Sequence, residues 1–293
     1  GFATHLKLTG SIEADPDTGR LTVVLEDLPQ SPVQSIAMHY FGSERGLMAT
    51  PAHCGTYAIE SEFVPWDSDL TTRHTSGFMT YNTVPGGKPC PDGPRPFAPS
   101  LRAGSSNNTA GLHSPFSFSL RREDGDQNLN RLEVTNPPGL SATLKGVSYC
   151  PEAAIAAAGT RSGSEEQRQG SCSAASQIGT AVAGAGAGNH PVYNDGKVYL
   201  AGPYRGAPLS LVSIIPAVSG PYDLGNVVVR AAIEVDRTTA QITTISDPLP
   251  QILAGVPLRT RFVQVNLDRP EFSLNPTNCA PRAVSSKILG DEG

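Results

Sequence analysis

The sequence predicts an all-β protein made of tandem antiparallel β-sandwich (Ig-like) modules, with one or two short helices in the middle module. Three observations support this fold class. Apolar and polar residues alternate with a period of two in short runs. The 30 glycines and 26 prolines fall largely between these runs, as expected for turns. One stretch of the chain also occurs twice, which is typical of a tandem array.

The first predicted element is a strand over 6–13, where Leu6, Leu8 and Ile12 alternate with polar residues. The turn over 16–19 leads to a second alternating run over 21–25, so the two strands form a β-hairpin. Further strands are predicted by the same alternation over 116–121, 227–234 and 263–267. The run 76–83, with Phe78 and Tyr81 available for packing, is predicted as the final strand of the first module.

Helix is predicted in only two places. The stretch 151–158 begins with Pro151, which is favoured at the first helical position, and continues with glutamate, alanine and isoleucine. One further turn is expected over 174–178.

The internal repeat relates residues 12–30 to residues 233–251. Eight of the nineteen aligned positions are identical, whereas average residue usage gives about one by chance. After a four-residue insertion the alignment resumes, and Cys54 falls on Cys279.

Three modules follow from the repeat: a β-sandwich module over 1–94, a β-rich module over 95–222, and a truncated second copy of the first over 223–293. The counterpart of the strand over 76–83 is missing after Gly293. We therefore expect the third module to present an unpaired strand edge.

The repeat also indicates how the five cysteines pair. Since Cys54 and Cys279 are equivalent, the simplest pairing is Cys54–Cys90 and Cys150–Cys172, with Cys279 single. Each bridge would contribute about 3–4 kcal/mol of stability. Such bridges imply an exported protein, at an extracellular or cell-surface location. The alternative is a cytosolic protein with five buried free thiols.

Charge and hydropathy exclude some partners. The 293-residue chain has a net charge of −5 and no stripe of lysine and arginine, so nucleic acid is not an expected partner. No apolar run approaches the ~20 residues of a membrane span. The first residues lack the pattern of a signal peptide.

Motifs of catalysis or cofactor binding have structural explanations. Asp17-Thr18-Gly19 matches a protease signature, but its repeat counterpart lacks the acid, which favours a hairpin turn. The glycine-rich run 184–188 is not followed by a helix, so a strand connection is favoured over a phosphate loop. His53 beside Cys54 could form a nucleophilic pair, but Asn278 replaces it in the repeat. We expect no catalytic, cofactor or metal residues and no enzymatic activity.

Three further features have two possible explanations. The acidic runs 123–128 and 67–69 could supply oxygen ligands to Ca²⁺, although a turn is favoured for both. Trp66 could stack on a sugar ring, but a place in the core at a sandwich edge is favoured.

Several segments resemble modules of large exported actinobacterial repeat proteins. They are 110–116, 122–129, 136–140, 149–153, 202–208, 266–270 and 275–279, so the resemblance covers nearly the whole chain. It implies secreted or surface-anchored arrays of β-domains and carries over no functional residue.

Three functions are compatible with these features. We favour a non-catalytic structural or adhesive segment of a secreted or cell-surface repeat protein. Its partners would be other proteins, cell-surface polymers and neighbouring modules of the same array. The alternatives are a glycan- or cell-wall-binding module, which needs a cleft with exposed aromatics, and a hydrolase with an unrecognised site.

Overall fold

The computed structural model describes residues 7–30, 35, 37–40, 48–66 and 72–293, without the side chains of 72–76. The chain divides into two compact units. Unit 1 comprises residues 1–15 and 19–94, and unit 2 comprises residues 16–18 and 95–293.

Both units consist mainly of antiparallel strands, as the alternation predicts. Unit 1 contains β1 (Gly10–Ala14), β2 (Leu21–Leu25), β3 (Gly55–Phe63), β4 (Thr72–Tyr81), β5 (Thr83–Val84) and β6 (Lys88–Pro89). Unit 2 contains β7 (Ser100–Ser105), β8 (Phe116–Arg121), β9 (Leu129–Thr135), β10 (Ser141–Ala142), β11 (Gln177–Ala185), β12 (Val192–Ala201), β13 (Leu209–Ser219), β14 (Tyr222–Val235), β15 (Ile242–Ser246), β16 (Ile252–Leu253), β17 (Val256–Pro257), β18 (Thr260–Leu267), β19 (Ser273–Leu274) and β20 (Ser285–Gly290). Its helices are α1 (Glu152–Thr160) and α2 (Gly163–Arg168), with a 3₁₀ turn at Ala174–Ser176.

In the described part of unit 1, the strands form three separate two-stranded sheets, β1-β2, β3-β4 and β5-β6. In unit 2, ten strands form one sheet in the order β20-β9-β15-β14-β13-β12-β11-β18-β8-β7. The seven-residue connection 122–128 joins β8 to β9, although these strands lie near opposite ends of that order. The sheet must therefore curl until it is nearly closed.

The inner face of this sheet carries the apolar core. Buried residues from several strands meet there, including Ile178, Val198, Ile233 and Val265. Phe118 of β8 packs against the same cluster as Ile242 of β15, which fits a sheet that curls around its core. Burial of these alternating side chains away from water is the main source of stability.

Part of the outer face is covered by the two helices. Tyr199, Val212 and Ile214 pack with Ala158 of α1 and with the disulfide-bonded Cys150 and Cys172. Helix α1 coincides with the predicted helix, and the 3₁₀ turn lies within the second predicted helical stretch. Helix α2 was not predicted, although Ser162 and Glu165 form a reciprocal capping box at its start.

The repeated sequence forms the same hairpin in both units. In β1-β2 the pairs run from Gly10↔Leu25 to Ala14↔Leu21. The equivalent residues of β14-β15 pair from Ala231↔Ser246 to Val235↔Ile242.

The two hairpins also share one turn geometry. The N–H of Gly19 donates to the carbonyl of Asp15 at 2.9 Å, and the N–H of Ala240 donates to that of Asp236 at 2.9 Å. Both donors have a left-handed backbone, with φ of 68° and 57°. The internal repeat is therefore present in the structure as well as in the sequence.

Two expectations about the third predicted module differ from the structure. Strands from 95–222 and from 223–293 hydrogen-bond to one another throughout the ten-stranded sheet, so the two ranges share a core. The predicted open edge also lies elsewhere: β14 and β18 are interior strands of this sheet, whereas the equivalent hairpin of unit 1 pairs only with itself among the described residues. Within the described part of the chain, no helix has the length and apolar character needed to cross a bilayer.

Candidate functional site

The motifs that suggested catalysis are parts of turns and crosslinks. Asp17, Thr18 and Gly19 form the tip of the β1-β2 hairpin. Cys54 is disulfide-bonded to Cys90, so its sulfur is not a free thiolate that His53 could activate. Cys150 is bonded to Cys172, and Cys279 is free and exposed. This is the pairing that the repeat predicts.

The glycine-rich run is a strand end and a turn. Gly184 and Ala185 belong to β11, and the N–H of Gly186 donates to the carbonyl of Leu258 at 2.9 Å. The N–H of Gly188 donates to the Oδ2 atom of Asp124 at 2.7 Å. The backbone donors of Gly186 and Gly188 are therefore used within the protein.

The acidic run 123–128 turns between β8 and β9, beside buried arginines. Arg122 is 3% exposed, and its guanidinium donates to the carbonyls of Thr260, Glu123 and Asp126 and to the side chain of Asn128. Burial lowers the pKa of Arg122 to about 10, although the charge of Asp124 opposes this change. The arginine nevertheless stays protonated at neutral pH.

A second buried arginine links this turn to the last strand. Arg95 is 6% exposed and donates to both carboxylate oxygens of Asp291 at 2.9 Å and to the carboxylate of Glu292. Asp291 also accepts from the backbone N–H of Asn128 at 2.8 Å. Asp291 and Glu292 thus form ion pairs with Arg95 in a structural network, whereas the guanidinium of Arg122 is held by carbonyl and amide oxygens. Among the described residues, no three histidine, cysteine or acidic side chains are grouped to hold a metal ion.

Trp66 does not have the favoured core position. Its side chain is 61% exposed, and neighbouring apolar side chains such as Phe63 and Val64 are exposed as well. The acidic pair Asp67 and Asp69 lies outside the described residues.

The structure reveals a polar face that the sequence patterns did not predict. It lies on the outer side of β12, β11, β18, β8 and β7, beyond the part covered by the helices. Residues directly opposite one another in antiparallel pairs share a face, so the strand register fixes its members. One row across the five strands is Asp195, Val182, Gln264, Ser119 and Arg102, and the next is Lys197, Thr180, Asn266, Ser117 and Gly104.

A cleft of about 290 Å³ opens on this polar face. The residues that line it are Arg102, Ala103, Gly104, Ser105, Ser106, Ser117, Phe118, Ser119 and Gln264. A Cβ atom at Gly104 would meet nothing within 4 Å, so the missing side chain leaves room there. The Nε2 atom of Gln264 donates to the Oδ1 atom of Asn266 at 3.0 Å, which orients both amides.

An aromatic pair borders the polar face. The rings of Tyr193 and Phe262 meet edge to face, with centroids 5.9 Å apart. Gly184 lies opposite both residues, and a Cβ atom there would come within 2.6 Å of the Tyr193 ring. Glycine at this position therefore permits the aromatic pair, and 55% of Tyr193 remains exposed.

The polar face offers hydroxyls, amides, charged groups and an exposed ring. The signal was present in the sequence as the polar half of the alternation in 116–121 and 263–267. It was missed because only strand pairing, which the sequence does not state, brings those residues together. Comparison with protein-family models, with curated proteins and with solved structures gave no match.

Proposed function

We propose that the chain is a non-catalytic structural or adhesive segment of a secreted or cell-surface repeat protein. The observation that carries the proposal is the hairpin that recurs with the same register in both units, because repeated elements are characteristic of arrays. Two disulfides support an oxidising, extracellular location. The finer expectation of tandem Ig-like sandwiches stays a prediction within this proposal.

Adhesion tests this function directly. Beads coated with the full chain should be retained under flow on a surface of purified bacterial cell wall, several-fold more than beads coated with albumin. Prior reduction of the chain should lower this retention, because the two bridges constrain the folded units. Retention equal to that of albumin beads would count against adhesion. The non-catalytic proposal would be wrong if the chain turned over a peptide, glycoside or ester and a point variant abolished that activity.

The polar face favours one second candidate, a glycan-binding module. Sugars present hydroxyl groups that amides, hydroxyls and arginine can bind, and their apolar ring faces stack on aromatic side chains. Gln264, Ser119 and Arg102 stand in one row across the cleft. Tyr193 lies on the same face of the sheet, two strands from Gln264.

A pull-down with peptidoglycan tests this candidate. The double variant Arg102→Ala with Gln264→Ala should lose most of the binding that the wild type shows. Lys287→Ala, on an exposed position of β20, serves as the matched control and should bind like the wild type. Equal binding by all three proteins would show that the polar face is not the glycan-binding site.

A further inference from the structure

Among the described residues, the hairpin β1-β2 has no neighbouring strands like those that flank its repeat in unit 2. In unit 2, β13 pairs with the outer edge of β14, with Leu209 opposite Ile233. Strand β9 pairs with the outer edge of β15, with Val134 opposite Thr244. In the described part of unit 1, β1 and β2 form a sheet of two strands, so neither outer edge has a partner strand.

The inner face of the hairpin is uncovered as well. Ile12 is 64% exposed, whereas the equivalent Ile233 is 9% exposed within the core of unit 2. Leu21 and Val23, on β2, are also exposed. None of the described side chains of unit 1 is buried. An exposed apolar hairpin with two open edges is a template for strand addition.

The repeat shows what covers such a hairpin. The strands that flank β14-β15, β13 and β9, both come from the range 95–222. Strand β13 has no charged residue, and Leu209 and Leu211 pack against the core beside Ile233. In a second copy of this chain, the corresponding strands are already paired with that copy's own β14 and β15.

We propose that the hairpin β1-β2 is a docking site for a β-module of the 95–222 type carried by another polypeptide. A strand like β13 adds antiparallel to the Gly10–Ala14 edge, and its apolar side chains cover Ile12. A strand like β9 adds to the Leu21–Leu25 edge. This inference rests on the proposed function in one respect, that the partner is another array module.

Register-specific crosslinking tests the docking. The probe is a synthetic peptide that copies residues 207–219, with Ser210→Cys and with lysines added at both ends for solubility. In unit 2, Ser210 lies opposite Ala232, whose equivalent in unit 1 is Ser11. In a Cys279→Ala background, Ser11→Cys should form a disulfide with the peptide. Glu13→Cys, two residues along the same strand, should form it at least ten-fold more slowly, because bridged residues require Cα atoms within about 7 Å.

Hydrogen exchange provides an independent measurement on the full wild-type chain. Saturating peptide without the cysteine should slow exchange at the amides of Gly10–Ala14 by at least ten-fold and leave β14 unchanged. Ile12→Asp should abolish the effect, and Phe78→Asp, an exposed position of β4, should preserve it.

Several outcomes would overturn the proposal. They are equal crosslinking at both cysteine positions, equal protection by a scrambled peptide, or no protection at all. Protection that depends on protein concentration without peptide would make a second copy the occupant instead. Docking without adhesion to cell wall would support this inference and contradict the adhesive role. Adhesion without docking would support the adhesive role and contradict this inference.

Discussion

Ile12 and Ile233 occupy the same place in the same hairpin, yet one is 64% exposed and the other 9%. Their strands share a register, and their turns share hydrogen bonds and backbone angles. Local sequence therefore determines the shape of the hairpin, and the surrounding strands determine whether its apolar side chain is buried.

The isoleucine pair gives a matched test of this difference. Ile233→Ala should lower the free energy of unfolding of unit 2 by about 2–4 kcal/mol, because it removes buried methyl groups and leaves a cavity. Ile12→Ala should change stability by no more than about 0.5 kcal/mol in the monomeric chain. Urea denaturation monitored by far-UV circular dichroism measures the change in unfolding free energy for both variants. Equal effects would show that Ile12 is buried in solution.

The disulfide Cys150–Cys172 should stabilise unit 2 substantially. It closes a loop with a sequence separation of 22 and lies in the cluster beneath α1. Replacing both cysteines by alanine should cost about 2–4 kcal/mol, mainly because the unfolded chain gains freedom. Cys279→Ala is the control, since that cysteine is unpaired and exposed. If the control lowers the urea midpoint as much as the double variant, the bridge is not the cause.

Arg95 should be among the most sensitive positions on the edge of the large sheet. Arg95→Ala leaves the partly buried carboxylates of Asp291 and Glu292 without their cation, at a cost of about 3–5 kcal/mol. Arg102→Ala, on exposed β7, should cost no more than about 0.5 kcal/mol. The two variants are compared by thermal unfolding at low and high salt. A neutral Arg95→Ala would show that the network does not hold the sheet edges together.

Asp223 should make stability depend on acid pH. Hydrogen bonds from Ser164, and from the backbone N–H groups of Gly225 and Gly163, hold the pKa of its carboxyl well below the ordinary range. The stability from this lowered pKa is present above the unfolded-state value of about 3.9 and is lost as the pH falls below it. Asp223→Asn should therefore differ most from the wild type near neutrality, and the difference should shrink below about pH 4. Parallel stability curves from pH 7 to pH 2 would contradict this assignment.

Elements defined by neighbouring residues could be predicted from the sequence. The turn over 16–19 and the alternation around it predict the first hairpin, and Pro151 predicts the start of α1. Long-range pairing could not be predicted in this way. Phe116 pairs with Leu267, which lies far along the chain, and no local pattern encodes that partnership. The polar face depends on this pairing, so its residues could be recognised only as scattered polar positions.

Trp66 shows a different limit of sequence analysis. A large aromatic residue beside a predicted strand ordinarily fills a core, and that expectation assumes that unit 1 buries its own apolar residues. The exposed side chains of Phe63, Val64 and Phe78 show that the described part of the unit does not do so.

The contact between Arg95 and Glu292 joins residues that are 197 positions apart. A nascent chain has to be complete almost to Glu292 before this link forms, and such distant contacts slow folding because long loops must close first. Before then, strands such as β8 and β9 have unpaired edges, which makes the partly synthesised chain prone to aggregation. Unit 2 is therefore expected to complete its sheet only once Glu292 has left the ribosome, and a chaperone that shields strand edges should raise its yield.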